Sequence, residues 1–247
     1  MSWALRFLGV GNAFATALGN ASAVIERGGA PLLMIDCGPL AIEAYLAHYR
    51  ALPSALFITH CHLDHVGGME ALFARAMFGT GAVAPVLYVP VGLVPTLHAR
   101  VADYPGATAE GGCNFWDPFR LIPVGDGFWY AGRRFDVIPV RHGAPGSAFG
   151  LRLHGSLFYT GDTRPIPEVL AAAADAGERV AHDCDVHGNP AHSGIEELER
   201  DYPPELMQRL LLYHYADQAA ADALRARGHR VARCGEAYPL AEPKEPR

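Results

Sequence analysis

Three histidines and an aspartate fall within six consecutive positions, His60-Cys61-His62-Leu63-Asp64-His65, and no other feature restricts this chain so tightly. The apolar run 55–59 before them reads as a buried strand, and Gly67-Gly68 opens a segment of helical spacing that reaches residue 78. A strand-to-helix turn furnished in this way aims several nitrogen and oxygen donors at one place, and these donor types suit zinc and its neighbours. Asp64-His65 after the alternating His60 and His62 makes two ligand pairs, enough to begin two adjacent sites. Two ions about 3.5 to 4 Å apart can share a bridging hydroxide, a nucleophile available near neutral pH.

One loop does not complete such a site, so the missing ligands have to come from other strand ends. Three polar residues stand directly after apolar runs: His142 after 135–140, Asp162 after 157–159, and His214 after 210–213. Twelve histidines in 247 residues make histidine ligation the natural expectation. His48, His98, His154 and His229 have no motif around them and read as surface or core residues, while His187, in Asp185-Val186-His187-Gly188-Asn189-Pro190, reads as a solvent-facing turn or a substrate-loop residue.

The rest of the chain alternates short strands with helices. Strands are expected at 5–8, 23–26, 32–35, 86–89, 135–140, 149–153, 157–159, 179–181, 210–213 and 230–233, with Gly155-Ser156 as a hairpin turn. Helices are expected at 40–49, 68–78, 91–101, 167–176, 194–200 and 217–227, while the Gly/Pro-rich passage 104–127 resists assignment. Its Phe115, Trp116 and Phe119 suit either an aromatic wall over the pocket or a separate apolar cluster. This order gives an α+β class with two packed sheets and helices outside. It reads as one domain over 1–240, followed by a frayed polar tail at 241–247.

Composition excludes several classes. Half the residues are hydrophobic and only 19% are charged, too apolar a balance for disorder. A formal charge of −6 argues against a broad basic surface for nucleic acid. No run approaches the ~20 apolar residues of a membrane span, and Arg6 and Arg27 interrupt the N-terminal apolar region, so a soluble cytoplasmic protein is expected. Five widely spaced cysteines without a CxxC pair fit reduced thiols.

These motifs resemble the metallo-β-lactamase superfamily, and within it ribonuclease Z (tRNase Z). The resemblance runs through Phe7-Leu8-Gly9-Val10-Gly11, Ile35-Asp36-Cys37-Gly38, residues 59–68, Phe149-Gly150-Leu151, Gly161-Asp162-Thr163-Arg164-Pro165 and His214. It implies an αββα four-layer sandwich, two mixed β-sheets flanked by helices, with metals at one sheet edge. By position it implies that His60, His62 and His142 bind one zinc, that Asp64, His65 and His214 bind the other, and that Asp162 bridges them. Manganese or iron(II) are alternative occupants. Asp36, with Thr59, would fix the first ligand loop. His192 and Asp183 match residues that assist leaving-group protonation, although aspartate here is one methylene shorter than the family's glutamate.

The pattern also departs from ribonuclease Z. Only eleven residues separate Gly150 from Asp162, where that family carries its long tRNA-gripping arm. Without the arm and with a net negative chain, long structured RNA is not expected as a partner. The expected reaction is hydrolysis of a small phosphodiester or cyclic phosphate through the metal-bridging hydroxide. The same site would also serve a lactone, thioester or other activated acyl substrate. Arg141 and Arg164 are candidate phosphate clamps, and the helix opening near Gly68 would turn its N-terminal amides toward an anionic substrate. The resemblance also implies a homodimer, but no segment of the sequence marks an interface.

Overall fold

The computed structural model describes residues 1–79, 84–102, 112–175 and 177–245. The first half builds a seven-stranded sheet. Its strands are β1 (Trp3–Gly9), β2 (Ser22–Arg27), β3 (Ala30–Ile35), β4 (Ala55–Phe57), β5 (Val86–Pro90) and β6 (Arg120–Val124), closed on the other edge by β13 (Ala237–Leu240) in the order β13-β1-β2-β3-β4-β5-β6. Helix α1 (Ala41–Tyr49), the short turn α2 (Leu63–Val66), α3 (Met69–Phe78) and one turn of α4 (Val94–Leu97) connect these strands.

The second sheet runs β12-β11-β10-β9-β8-β7. It contains β7 (Gly127–Tyr130), β8 (Arg133–Pro139), β9 (Phe149–Leu153), β10 (Leu157–Tyr159), β11 (Arg179–Asp183) and β12 (Leu210–Tyr213), with α5 (Pro167–Ala173), α6 (Ile195–Asp201), α7 (Pro204–Met207) and α8 (Gln218–Ala226) between the later strands. Antiparallel hairpins lie next to parallel crossovers in both sheets, so both are mixed.

Strand periodicity explains the four layers. Leu5, Phe7, Ile25, Leu33, Ile35 and Phe57 face the second sheet, where Phe135, Leu151, Leu153, Tyr159 and Leu211 meet them in one continuous core. Their alternates Val24, Met34, Leu56 and Leu87 face outward onto α1 and α3 through Ile42, Leu72 and Phe73. Successive side chains point to opposite faces of a strand, so these two-sided apolar strands require cover on both faces.

Several expectations change. Residues 91–101 form a tight turn (Val91–Leu93), the single turn α4 and a wide turn (His98–Ala102) in place of one helix. Pro95 is tolerated only in a first helical turn, which it occupies here. Residues 230–233 contribute one bridge, Val231 to Leu212, and no strand. The passage 104–127 yields β6 and the start of the β7–β8 hairpin, with 104–111 lying outside the described residues. Phe115 stacks on Phe73 at 5.5 Å beneath the first sheet's helices, so these aromatics join the apolar cluster there.

Residues 242, 244 and 245 of the C-terminal segment have partners in the second sheet's hairpins. The Lys244 N–H donates to the His154 carbonyl at 2.8 Å, and Arg133 pairs with Glu242 and Glu245. Residues 246–247 lie outside the described residues. No helix among the described residues is long and apolar enough to cross a membrane.

Candidate metal centre

The seven ligand candidates sit at one shared edge of the two sheets, because each follows the end of a strand. His60 and His62 follow β4, His142 follows β8, Asp162 follows β10 and His214 follows β12, while Asp64 and His65 ride on α2. The β9–β10 hairpin spans the region where a gripping arm would stand, and it has no insertion. The Phe149 N–H donates to the Thr59 carbonyl at 3.0 Å and fastens the edge of one sheet to the other.

The structure gathers these residues into two groups that share Asp162: His60, His62, His142 and Asp162, and Asp64, His65, Asp162 and His214. Within each group the donor atoms lie within 4.8 Å of one another. Asp162 Oδ2 stands 3.6 Å from His60 Nε2 and 4.0 Å from His142 Nε2 on one side. On the other it stands 3.2 Å from both His65 Nε2 and His214 Nε2. Asp64 Oδ2 closes the second group, 3.4 Å from His65 Nε2 and 3.7 Å from His214 Nε2. Ligands about 2.1 Å from a tetrahedral ion are separated by about 3.4 Å, so this spacing suits two divalent ions with Asp162 between them.

Unpaired atoms provide an independent test of fit. His60 Nε2, His65 Nε2, His214 Nε2 and both Asp162 carboxylate oxygens are buried with no hydrogen-bond partner. Buried polar atoms are rarely left unsatisfied. Here they all converge, and a cation pair would satisfy them together.

The far nitrogens are held in place by a surrounding layer. His65 Nδ1 lies 2.7 Å from Asp36 Oδ2, and His60 Nδ1 lies 3.1 Å from Thr59 Oγ1, which itself donates to Asp36 at 2.7 Å. His142 Nδ1 faces the Ala191 carbonyl at 3.0 Å, and His214 Nδ1 faces Asp183 Oδ1 at 3.3 Å. Such partners fix ring orientation and direct the other nitrogen at the ion. Asp36 and His214 also hold left-handed backbone, φ 60 and φ 71, which costs energy outside glycine and is retained where surrounding structure enforces it.

Charge in the metal-free chain follows from the same crowding. Burial resists it, but Asp162 and Asp183 raise the His214 imidazole to about 10. Burial likewise opposes the ionisation of Asp162, yet the charges on His214 and His65 hold its carboxyl well below the usual range. His60 is pushed well below its ordinary value, first by burial and then by His65. In the metal-free chain the buried Asp162 carboxylate thus favours positive charge beside it.

Beside the ligands, Asp183 is fully buried and accepts from His192 Nδ1 at 2.9 Å and the Thr163 N–H at 2.9 Å. The shorter aspartate therefore reaches its histidine. The His192 ring stacks 4.7 Å from His214 and opens, with Asp64 and Asp162, onto a cavity of about 110 Å³. Its walls include Asn12, Ala13 and Phe14, which the sequence did not mark, together with Asp185 and Asn189 of the loop around His187. The first wall is fixed by Asn12 N–H donating to the Tyr215 carbonyl and by Asn20 donating to the Asn12 carbonyl.

The proposed phosphate clamps are occupied elsewhere. Arg141 Nη2 pairs with Glu168 at 2.8 Å and its Nη1 donates to the Pro165 carbonyl. Arg164 forks onto both oxygens of Glu197 and also donates to the carbonyls of Asn189 and His192. Arg164 therefore ties the Asp162 loop to the loop that carries His192. Arg164→Ala is expected to keep both ions and to lower turnover about tenfold by releasing His192, a positioning effect. Metal content and kcat measured on the same preparation check it.

The Gly68 helix start likewise does not face the pocket. Its N–H donates to the Cys37 carbonyl at 2.8 Å, and no residue of α3 lines the cavity. A Cβ at Gly68 would lie 2.2 Å from the Gly38 carbonyl oxygen, backbone against backbone. Gly68→Ala should therefore cost about 1–3 kcal/mol or more, read as a lowered midpoint of thermal unfolding.

Comparison with known proteins places this site. A family model described as "Anti-Pycsar protein Apyc1" matches residues 3–238. The Anti-Pycsar protein Apyc1 of Saccharibacillus brassicae is 36% identical over 222 residues, covering 86% of this chain and 90% of the relative. A diphosphatase from the PhnP family superposes with a TM-score of 0.78 at 18% identity, covering 98% of this chain and all of the other. The metallo-β-lactamase fold protein YhfI from Bacillus subtilis superposes at 0.75 with 15% identity, covering 97% and 100%. The fold is thus the metallo-β-lactamase αββα sandwich with the donor cluster of a metal-dependent hydrolase. The expected kinship with ribonuclease Z is corrected, since the sequence matches carry the Apyc1 description. The motifs that suggested ribonuclease Z lie largely at the metal edge.

Proposed function

The chain belongs to the Anti-Pycsar protein Apyc1 family, and on that premise we propose that it is a binuclear metal-dependent phosphodiesterase acting on a small phosphodiester or cyclic phosphate. The relatives' printed role, anti-Pycsar, extends to this chain under the same reading. The carrying observation is the convergence of unpartnered, buried ligand atoms about Asp162, with the Asp183–His192 pair at their side.

Residues 60, 62, 142 and 162 would hold one divalent ion and residues 64, 65, 162 and 214 the other, zinc being the first candidate and manganese or iron(II) the alternatives. Such ions supply an activated water near neutral pH and counter the negative charge that develops on the substrate oxygens. Asp36, Thr59 and Asp183 orient the imidazoles. Asp183 holds His192 through Nδ1, which leaves Nε2 to give a proton to the departing oxygen. The cavity of about 110 Å³ admits a phosphate group and leaves the rest of the substrate outside, against the Asn12–Phe14 and Asp185–Asn189 walls.

The test is a substrate panel on the metal-loaded protein: an aryl phosphodiester, a 3′,5′-cyclic phosphate, an aryl acetate and a set of lactones. Phosphodiester turnover well above carbonyl turnover supports the reading. The reverse order would assign the site to an activated acyl substrate.

A further inference from the structure

At the opposite ends of the strands that deliver Asp183 and His214 lies a second concave site. β11 begins at Arg179 and β12 directly follows Arg209, while Arg230 precedes the bridge of Val231 to Leu212. All three arginines line one cavity of about 140 Å³, together with Gln208. β11 advances four residues from Arg179 to Asp183, about 13 Å at strand rise, so this cavity is separate from the metal pocket. The two share no lining residue.

Three arginines without a carboxylate partner meet at this one cavity, and the one acid in its lining, Glu178, is engaged elsewhere. Many arginines of this chain pair with acids, as Arg141 does with Glu168, Arg152 with Glu178, and Arg227 with Glu199. Among the described residues, none of the side chains of Arg179, Arg209 and Arg230 has a carboxylate partner. The nearby Glu178 carboxylate is committed to Arg152 and to the Gly155 N–H. Arg179 Nε is buried without any hydrogen-bond partner. Arg209 is set in place by Nη1 donating to the Asp175 and Glu178 carbonyls, so its fork is ordered before a ligand arrives.

Burial, and then the charge on Arg230, hold the Arg179 guanidinium below the usual arginine range. Like charges are thus gathered at a half-buried position in a chain whose net charge is −6. That arrangement is unfavourable until an anion joins it. Guanidinium forks match the oxygens of a phosphate in paired hydrogen bonds, and the cavity is sized for one such group.

We propose that Arg179, Arg209 and Arg230 form a binding site for a phosphate dianion, free or as the end of a phosphomonoester, on the edge of the protein away from the metals.

The metal pocket will also take phosphate, so the experiment separates the two sites. Calorimetric titration of the metal-loaded protein with inorganic phosphate, at constant ionic strength, should show two equivalents per chain. Arg179→Gln/Arg230→Gln should lose one equivalent, or bind it at least about tenfold more weakly, while keeping the other and full turnover of an aryl phosphodiester. Arg230→Gln alone, at an exposed position, should weaken the same equivalent if the double variant does not fold. Glycerol 2-phosphate that displaces this equivalent marks the site as open to phosphomonoesters, and failure to displace it restricts the site to free phosphate. A wild-type protein with a single equivalent, or variants that retain both unchanged, would overturn the proposal.

Discussion

Asp162→Ala is expected to strip the protein of both ions and to lower turnover by at least about a thousandfold. Asp162 is the one residue present in both donor groups, and its Oδ2 lies within 4.0 Å of the Nε2 atoms of His60, His65, His142 and His214. Each ion contributes several kcal/mol of transition-state stabilisation, and each 1.36 kcal/mol is a factor of ten in rate. Asp162 is also 1% exposed, and its removal takes from His65 and His214 the buried carboxylate that favours their charged forms in the metal-free chain. Asp162→Asn keeps the shape and removes the charge. It should lose the ions nearly as fully, which separates ligation from packing. Metal analysis of the purified variants and their turnover on one phosphodiester provide the check.

The second large effect belongs to His192. His192→Ala should keep both ions, because the ring belongs to neither of the two groups built on the His60–His65 motif, and should lower kcat about 10²- to 10⁴-fold on a substrate with a poor leaving group. With a p-nitrophenolate leaving group, which departs without a proton, the loss should shrink to a few-fold. Full activity of His192→Ala on the poor leaving group would remove it from the reaction. Asp183→Asn should show the same dependence on leaving group, with a further loss of metal, since Asp183 also lies 3.3 Å from His214 Nδ1.

Some of this was legible in the chain because it is contiguous. The HxHxDH run needs no tertiary knowledge, and His142, Asp162 and His214 announce themselves by standing just after apolar strands. The two-sheet architecture followed from the same strands. Other features depend on contacts between segments far apart in sequence. Asn12 and Phe14 line the cavity only because Tyr215 and Asn20 hold their loop there. β6 carries Pro123 and shows no clean alternation, so its sequence resists assignment; it is an edge strand, where a missing N–H is tolerated.

The partners of the two arginines were hidden for a different reason. Arg164 adjoins a ligand in sequence, but its partner Glu197 is 33 positions away, and nothing local shows that its fork is already filled. The resemblance to ribonuclease Z rests on motifs that mostly build the metal edge. The eleven residues between Gly150 and Asp162, and Asp183 in place of a glutamate, are where the chain departs from it.

The central claim is that two cations sit on either side of Asp162, and metal content per chain tests it most directly. Protein loaded with zinc and freed of excess should hold two equivalents, Asp64→Ala and His65→Ala should fall toward one, and Asp162→Ala should hold none. A wild-type chain that binds one ion or fewer, or an Asp162→Ala protein that still binds two, would contradict the account.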